Sequence, residues 1–395
     1  MQGHLAFFSF GHRQSMSKKA TPSLVEHLKL IPDPRIKRTQ RHELMDILVI
    51  ALCATICGAD NWVSVVQFGK SKIEWLSSFL KLPNGIASHD TFGRIFQILD
   101  SAVLEHVCIE WLQSIAGKVE GVVSIDGKTL CGSRDGDRSP LHLVSAWAHQ
   151  NSMLLGQVQT DKKSNEITAI PQLLKLLSIQ NCIVTIDAMG CQKAITKEID
   201  AAHADYVLTL KSNHPYLHRM VAKWYGECLE NDFAHQAHDY FEERADTNNH
   251  GRIERRQCWL IEVPEHLQRA TKSWAKLNTL AMVKRTRQVG DKVSEDTHYY
   301  ISSLPLSEGA KNVANAIRSH WSVENNLHWS LDVAFNEDAC RVRKDEGPAN
   351  FACLRRIALT QLKRETSEKV GIANKRARAG WDQTYLLKVL MLGVL

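Results

Sequence analysis

The sequence predicts an α/β protein in which a mixed sheet carries flanking helices, with a helical region before the sheet and a β-rich insertion within it. Three observations support this fold class. Residues 20–115 have helical apolar periodicity throughout. After Gly117 the elements follow the order β-β-β-α-β-α-β, so three adjacent strands precede alternating helices and strands. Residues 212–300 then contain mainly strand-like stretches.

The N-terminal region, residues 1–115, is predicted to be a helical domain. The stretch HELMDILVIALCATICGADNWVSVVQFG has dense apolar periodicity and ends at a glycine. SHDTFGRIFQILD begins with a serine that is suited to cap a helix. The segment IPDPRIKRTQRHEL contains prolines and is basic, so it is interpreted as a connector.

The sheet is predicted from the segment that follows. GVVSIDGKTL is a β-type run, and two further runs flank a hairpin turn at Gln150-Asn151. A helix, the buried strand NCIVTIDAMG, a second helix and the strand DYVLTLK come next. Helical character returns from Gly309. We therefore assign three parts after the helical domain: an α/β domain from residues 116–211 and 301–360, an insertion at 212–300, and a basic C-terminal tail at 361–395.

Charge is unevenly distributed along the chain. The 395 residues carry a net charge of +6, with +5 in residues 1–43, +7 in residues 339–395 and therefore −6 between them. Basic ends around an acidic centre are typical of a protein that binds a polyanion and holds cations among internal carboxylates. The alternative is that the ends are two solvated basic tails.

Cysteine usage and hydropathy indicate a soluble protein of a reducing compartment. The ten cysteines form no C-x-x-C pair. The apolar run near the N-terminus is too short for a signal peptide. Residues 47–59 form the longest apolar run, which is shorter than the roughly 18–20 residues that span a bilayer, so a buried helix is predicted. We expect a cytoplasmic protein with no membrane partner.

Two aspartates occupy the same position relative to apolar strands. Asp126 follows GVVSI and precedes a glycine, and Asp187 follows CIVTI and precedes small residues. Open α/β folds place their chemistry at the rim where such strands end. If the two strands are neighbours, the two carboxylates converge. A single aspartate in this context would as readily be a turn residue.

The stretch RSHWSVENNLHWSLDVAFNEDACR, residues 318–341, is unusual for a helix. Two imidazoles and two carboxylates follow one another at four-residue spacing: His320, Glu324, His328 and Asp332. A second line of side chains carries two indoles and an amide: Trp321, Asn325 and Trp329. An ordinary core helix would show Leu and Ala there, and a solvated face would show Lys and Glu. The pattern therefore indicates a functional helix.

A third carboxylate from this helix would complete a metal site. Converging carboxylates repel each other, so they share protons or bind hard cations. Three of them suit a pair of magnesium ions about 3.5–4 Å apart. Glu324 is the preferred third ligand; Asp332 is the alternative on the same line, and Glu337 and Asp338 lie further along. The alternative to a metal-binding role is that Glu324 forms an ion pair with an arginine such as Arg318.

Zinc is a second metal that the spacing allows. His320, Glu324 and His328 recur every four residues, which would place three zinc ligands along one helix face. This interpretation leaves Asp126 and Asp187 without a role, so the carboxylate site is preferred.

Taken together, the motifs of this chain resemble those of a known family. The chain resembles the DDE transposases of bacterial insertion sequences, specifically the H-repeat-associated (ISAs-type) group. Matching motifs run from about residue 24 to 360: DPR at 33–35, SHDTFGRIF, SIDGKTL, KSNEITAIPQLL, VTIDAMGCQ, YVLTLKSNH, HGRIE, YYISSL and HWSVENNLHWSLDVAFNEDACRVR. The resemblance implies a ribonuclease-H-like catalytic domain. It also implies that Asp126, Asp187 and Glu324 form the catalytic triad that binds Mg²⁺, for which Mn²⁺ can substitute.

The same resemblance implies an activity and partners. A member of this group would cleave double-stranded DNA at the terminal inverted repeats of its element, transfer the strands to target DNA and act as a homo-oligomer. The helical N-terminal domain would contribute to recognition of the DNA ends. Two alternatives stay open: a nuclease of the same fold that cuts without joining, and a catalytically inactive DNA-binding protein derived from a transposase.

The sequence departs from the family pattern at positions that bear on DNA contacts. Related enzymes have an arginine four residues before the glutamate and a lysine seven after it, where this chain has His320 and Leu331, and His214 replaces a glutamine in LKSNH. Candidate DNA contacts are therefore spread over seven residues: Lys128, Lys211, Arg318, His320, His328, Arg341 and Arg343.

Some assignments keep an alternative. Lys128 is either a phosphate contact or a solvated turn lysine. Trp321 and Trp329 are expected to pack against the sheet, with stacking on an unpaired base as the alternative. Asn165 and Glu166 are predicted to cap the following helix.

Overall fold

The computed structural model describes residues 23–136, 139–160, 166–247 and 252–391. Within these residues nine strands form one mixed sheet, and helices pack against it. The predicted α/β class, with a helical N-terminal region and a β-rich insertion, is confirmed. Asn165, which was predicted to help cap a helix, lies outside the described residues.

Helices alone make up the described N-terminal region. They are α1 (Leu24–Leu28), α2 (Leu44–Ile56), α3 (Trp62–Ser71), α4 (Ile73–Leu76), α5 (His89–Ile98) and α6 (Ser101–Ala116). Ser88 caps α5 as predicted, because its hydroxyl accepts a hydrogen bond from the Thr91 amide. Gly117 ends α6 with a φ of 64°, a conformation that glycine adopts without strain.

Five strands and two helices form the centre of the α/β domain. They are β1 (Val122–Thr129), β2 (His142–Ala148), β3 (Met153–Gln159), α7 (Glu166–Leu176), β4 (Ile183–Ile186), α8 (Lys193–Ala201) and β5 (Asp205–Leu210). Their order in the sheet is β3-β2-β1-β4-β5, with β1, β2 and β3 antiparallel and β1, β4 and β5 parallel. This is the ribonuclease-H-like arrangement that the resemblance implies.

The insertion extends the same sheet. It consists of α9 (Pro215–Glu230), β6 (His238–Thr247), β7 (Arg252–Glu262), α10 (Glu265–Thr271), β8 (Thr279–Val289) and β9 (Lys292–Ser302). Strand β9 pairs with β5, so the sheet continues in the order β9-β8-β7-β6. The helices α9 and α10 and the strand β6 were not predicted from the sequence, although α9 buries Leu217, Val221 and Tyr225 at helical spacing.

The C-terminal part of the chain is helical and packed. It contains α11 (Gly309–His320), α12 (Trp329–Phe335), α13 (Gly347–Arg364), α14 (Ile372–Trp381) and α15 (Gln383–Met391). The predicted basic tail at 361–395 is therefore wrong for its described residues. Arg376 is buried and donates to the Thr55 carbonyl of α2. Arg355 and Arg356 of α13 are also buried, so much of the terminal positive charge serves packing.

One continuous core joins the N-terminal helices to the sheet. Every residue of α2 from Ile47 to Ile56 is buried, and this helix packs against α13 and α14. The longest apolar run is thus a core helix, as predicted. Among the described residues no helix is both long enough and apolar enough to span a membrane.

Candidate active site

Adjacent parallel strands bring Asp126 and Asp187 to the same edge of the sheet. Strands β1 and β4 pair in register, and their last paired residues are Ile125 and Ile186. Asp126 and Asp187 each follow one of these residues. The two strands are therefore neighbours, which is the condition on which the convergence of the two aspartates depended. Asp126 does not end β1, however, because β1 continues to Thr129 alongside β2.

Glu324 reaches the same place from a helix. Asp126, Glu324 and His328 each offer a ligand atom, and these atoms all lie within 4.8 Å of one another. His328 Nδ1 donates to Glu324 Oε2 at 3.0 Å and lies 3.7 Å from Asp126 Oδ2. Glu324 is exposed, whereas His328 is buried. The grouping is a set of two carboxylates and one imidazole at the open edge of the sheet.

A local π-helical turn shapes this grouping. Residues Glu324–His328 form the turn, and the Trp329 amide donates to the Glu324 carbonyl five residues earlier. The regular helical spacing predicted for the stretch 318–341 is therefore interrupted here. Such wide turns occur mostly as single turns within helices, often at functional sites.

Asp187 lies beside the group rather than within it. Its Oδ1 accepts hydrogen bonds from the amides of Met189 and Gly190 at 2.9 and 3.2 Å. These bonds hold the carboxylate against the loop that follows β4. Its charge contributes to the raised pKa of Asp126, so the two carboxylates share one electrostatic environment.

Asp126 is the electrostatically perturbed member of the site. Burial raises its pKa to about 7; the Gly127 amide opposes this shift, and the negative charges of Glu166, Asp187 and Glu324 reinforce it. The site therefore concentrates more negative charge than its own groups neutralise, and a cation would relieve this repulsion.

Glu166 is a functional candidate that the sequence did not reveal. It begins α7, and its Oε1 accepts a hydrogen bond from His142 Nε2 at 2.9 Å. A Cβ at residue 127 would lie 2.1 Å from this oxygen, so a larger residue there would have to displace the Glu166 carboxylate. The sequence signal was no more than an acidic residue at the start of a helix, which predicts a cap.

His320 is buried instead of facing solvent. Its Nδ1 lies 3.3 Å from Thr185 Oγ1, which is hydrogen-bonded to Ser124 Oγ at 2.8 Å. Burial lowers the pKa of His320, and the nearby charge of Asp187 opposes that shift. A buried imidazole with a lowered pKa is a poor phosphate contact. The burial of His320 therefore argues against the prediction that it contacts DNA.

His328 is likewise an internal group rather than a surface contact. Burial lowers its pKa, with Glu324 opposing the shift and the positive charges of Arg356 and Lys128 reinforcing it. Its Nε2 has no hydrogen-bond partner in the described part of the chain. The proton is therefore best placed on Nδ1, where Glu324 accepts it.

Lys128 and Asp332 neutralise each other. Lys128 is buried and hydrogen-bonded to Asp332, and its Nζ lies 3.9 Å from Glu337 Oε2 and 3.7 Å from Asp338 Oδ1. The alternative that Lys128 is a solvated turn lysine is wrong. The three other acids that were considered as metal ligands thus surround Lys128. Glu324 is the carboxylate of this segment that remains beside Asp126.

Trp321 and Trp329 are exposed, at 64% and 59% of their surface. The expectation that they pack against the sheet is wrong. Trp321 lies at a pocket of about 340 Å³ between α11 and the insertion strands, whose other polar lining includes Lys211, Arg256, Arg285 and Arg318. The same lining includes Glu243, which pairs with Arg318.

The remaining predicted contacts differ in their surroundings. Arg318 is exposed and forms an ion pair with Glu243, so it does not pair with Glu324. Lys211 is exposed directly after β5, and Arg341 is exposed in the loop before α13. Arg343 Nε donates to the Gly132 carbonyl at 3.0 Å. Leu331 is buried, and His214 Nε2 donates to the Cys191 carbonyl at 2.6 Å.

Comparison with known proteins identifies the class of protein. Residues 117–361 match the family described as transposase DDE domain, and residues 25–112 match the region described as DDE_Tnp_1-associated. The chain belongs to the transposase DDE domain family.

Relatives of nearly the same length support this assignment. "Putative transposase YncI" of Escherichia coli O157:H7 is 38% identical and covers 93% of this chain and 94% of its own. "H repeat-associated putative transposase YhhI" of Escherichia coli K12 is 36% identical over 93% of this chain and 97% of its own. The resemblance to the H-repeat-associated group is confirmed. A piggyBac transposase synaptic complex with hairpin DNA aligns with 90% of this chain and 76% of its own, at a TM-score of 0.43 and 12% identity.

Proposed function

We propose that this chain is an insertion-sequence transposase that cleaves DNA at the ends of its element and transfers the strands to target DNA. The observation that carries the proposal is the meeting of Asp126 and Glu324 within 4.8 Å, in a member of the transposase DDE domain family. Asp187, at the end of the neighbouring strand, completes the proposed catalytic triad.

The donors of the site fit a divalent cation. Asp126 and Glu324 supply hard oxygen atoms, and the mutual repulsion of the carboxylates favours a cation among them. We propose Mg²⁺, with Mn²⁺ as a substitute, because carboxylates suit both ions. The bound cation supplies Lewis-acid activation of the phosphodiester and of the attacking water or hydroxyl.

The zinc alternative has less support. Of its three residues, Glu324 and His328 belong to the group within 4.8 Å, while His320 is directed towards Thr185. Asp126 takes the place that His320 would need to fill. An oxygen-rich donor set favours Mg²⁺ or Mn²⁺ over zinc.

The protein's own residues hold and orient the carboxylates. Asp126 has a fixed position because its strand pairs on both sides. The loop amides that donate to Asp187 Oδ1 fix the position of the Asp187 carboxylate. Glu324 is exposed, so the Nδ1–H of His328 is the contact that orients it. We therefore assign His328 a positioning role, because such hydrogen-bonding partners hold ligands in the orientation that a metal needs.

We propose that DNA lies across the basic pocket beside the site. Lys211, Arg285 and Arg318 would contact phosphates there, and the exposed indole of Trp321 would stack on an unpaired base. Arg341, in the loop before α13, is a further exposed candidate. The N-terminal helices would contribute to recognition of terminal repeats, and a homo-oligomer would hold two DNA ends together.

A cleavage assay tests the triad. Asp126→Asn, Asp187→Asn and Glu324→Gln should each lower cleavage of a terminal-repeat duplex in Mg²⁺ by at least about 100-fold, because each removes a metal ligand and its charge. Glu308→Gln, an exposed change at the start of α11, is the matched control and should retain full activity. Duplex binding by all four variants should stay within about threefold of the parent, because the phosphate contacts are retained.

The outcomes separate the alternatives. A triad variant that cleaves within about tenfold of the parent would remove that residue from the triad. Incubation of a precleaved end with a target plasmid tests joining: strand-transfer products are expected, and cleavage without them would identify a nuclease of the same fold. Duplex binding by the parent without any cleavage would identify an inactive DNA-binding protein.

A further inference from the structure

Lys128 joins the strand of Asp126 to the helix that follows Glu324. It lies on β1 two residues after Asp126, so both side chains point to the same face of the sheet. Its side chain is only 8% exposed, and its Nζ is hydrogen-bonded to Asp332 of α12. The contact between Lys128 and Asp332 therefore lies beside the contact between Asp126 and the helix.

The two contacts attach one helix to one strand at two points. Asp126 meets the π-helical turn at Glu324 and His328, and Lys128 meets α12 one to two turns later. Leu327, Leu331 and Phe335 seat this segment in the core, but apolar packing is non-directional and defines the rotation of the helix about its axis less sharply than a polar contact does. A second contact with a buried ammonium group fixes that rotation, and with it the direction in which Glu324 points.

The surroundings of Lys128 are themselves anchored. Glu337, 3.9 Å from Lys128 Nζ, forms a buried ion pair with Arg356 of α13 at 2.7 Å. The loop that carries Asp338 packs against Gly132, where a Cβ would lie 2.4 Å from the Asp338 carbonyl oxygen. The carboxylates around Lys128 are therefore held by other contacts, and they hold the lysine in turn.

We propose that Lys128 is a positioning residue that sets Glu324 against Asp126 through its ion pair with Asp332, and that it does not contact DNA. This inference rests on the proposed function. Three carboxylates surround the ammonium group, so its charge is already neutralised within the protein. A phosphate would have to break a largely buried ion pair, which is unfavourable because it leaves a buried charge without its partner.

Binding of Mn²⁺ to the full-length protein without DNA tests the proposal. Electron paramagnetic resonance would give the Kd for Mn²⁺ in the parent and in Lys128→Met, Asp332→Asn and the double variant. Each single variant should weaken Mn²⁺ binding by about tenfold or more, since residues that orient metal ligands have effects of this size. The double variant should bind no more weakly than the worse single variant, because both changes remove the same contact.

Two controls make the result specific. Lys128→Arg keeps the charge and should bind Mn²⁺ within about threefold of the parent. Lys276→Met removes another lysine of the domain, which pairs with Asp205 at 3.0 Å, and should leave Mn²⁺ binding unchanged. Binding of a terminal-repeat duplex, measured in parallel, should be retained by Lys128→Met.

Either of two results would overturn the proposal. One is unchanged Mn²⁺ affinity in Asp332→Asn, which settles the question even if Lys128→Met does not fold. The other is a Lys128→Met protein that binds Mn²⁺ normally but loses duplex affinity, which would make Lys128 a DNA contact. Failure of the proposed function is a separate outcome, in which Asp126→Asn itself leaves Mn²⁺ binding intact.

Discussion

A carboxylate oxygen of Asp126 lies within 4.8 Å of one of Glu324, although Asp126 belongs to a sheet strand and Glu324 to a helix near the other end of the chain. Two like charges this close are costly unless a proton or a cation lies between them. The pKa of Asp126, raised to about 7 by burial and by its acidic neighbours, expresses that cost.

The first prediction concerns stability without metal. The folded-state pKa of Asp126 exceeds its ordinary value, so the stability that its protonated form contributes is present below about pH 4 and is lost as pH rises through about 7. Asp126→Asn removes this loss, since the amide stays neutral. In urea unfolding with a chelator, the variant should match the parent at pH 4 and exceed it at pH 8 by a few kcal/mol, at about 1.4 kcal/mol per pKa unit.

Addition of a divalent cation provides the internal control for that experiment. Saturating Mg²⁺ should stabilise the parent at pH 8 and leave Asp126→Asn nearly unchanged, because the variant lacks the ligand. Equal stability of the two chelated proteins at pH 8 would contradict the electrostatic account of this site.

A second prediction isolates the role of His328. His328→Ala should lower cleavage by about 10- to 100-fold, since Glu324 loses the donor that orients it while the triad itself is retained. The loss should be smaller than that of Glu324→Gln. Zinc analysis of the purified parent is the companion measurement: a stoichiometric zinc content and an equal loss in both variants would instead make His328 a zinc ligand.

The exposed indoles give a third prediction. Trp321→Ala should weaken binding of a terminal-repeat duplex with unpaired end bases by about 5- to 150-fold, the range for loss of one base stack. Trp329→Ala is the matched control, because Trp329 is equally exposed but does not line the basic pocket. Both variants should unfold within about 0.5 kcal/mol of the parent, as surface substitutions do. A loss of several kcal/mol would restore the packing interpretation.

The C-terminal helices give a fourth prediction. Arg376 is buried, donates to the Thr55 carbonyl and to Asp60 Oδ1, and lies over the Phe335 ring. Arg376→Met should lower the free energy of unfolding by about 3–5 kcal/mol, because Asp60 and the carbonyl lose a charged partner. Arg378→Met removes an exposed arginine two residues away and should cost about 1 kcal/mol or less. The midpoints of urea unfolding of the two variants provide the measurement. Equal midpoints would contradict the packing of this segment and favour the predicted tail.

Apolar periodicity was sufficient to predict the central part of the fold. The apolar runs of β1, β4 and β5 and the helices between them follow from local sequence, and neighbouring parallel strands then place Asp126 beside Asp187. Strand β6 was missed because residues such as Glu242, Glu243 and Arg244 resemble a solvated loop. Its partner β7 supplies Arg255 and Arg256, which pair with Glu242 and Glu243, and a single segment cannot reveal such cross-strand pairs.

The side-chain environments were less accessible from sequence. Histidine is usually a surface residue, yet His320 and His328 are both buried, and Thr185 and Glu324 each provide a partner for one ring nitrogen. Trp321 and Trp329 show the reverse, since large aromatic residues are usually buried but these two are not. Whether a side chain of this segment is buried or exposed depends on which face of the helix meets the sheet. The local sequence does not determine that face.

The π-helical turn at Glu324–His328 has a consequence for comparing relatives. A turn closed by a bond over five residues holds one more residue than a turn closed over four, so it behaves as a single-residue insertion in an α-helix. Relatives that lack this residue should show a one-position gap between the glutamate and the Asp332 position when their sequences are aligned. Beyond the gap, the helix of those proteins would keep the same phase as in this chain, because the wider turn accommodates the extra residue. We expect deletion of Asn326 to close this wide turn, to place His328 three residues after Glu324 instead of four, and to leave Asp332 beside Lys128.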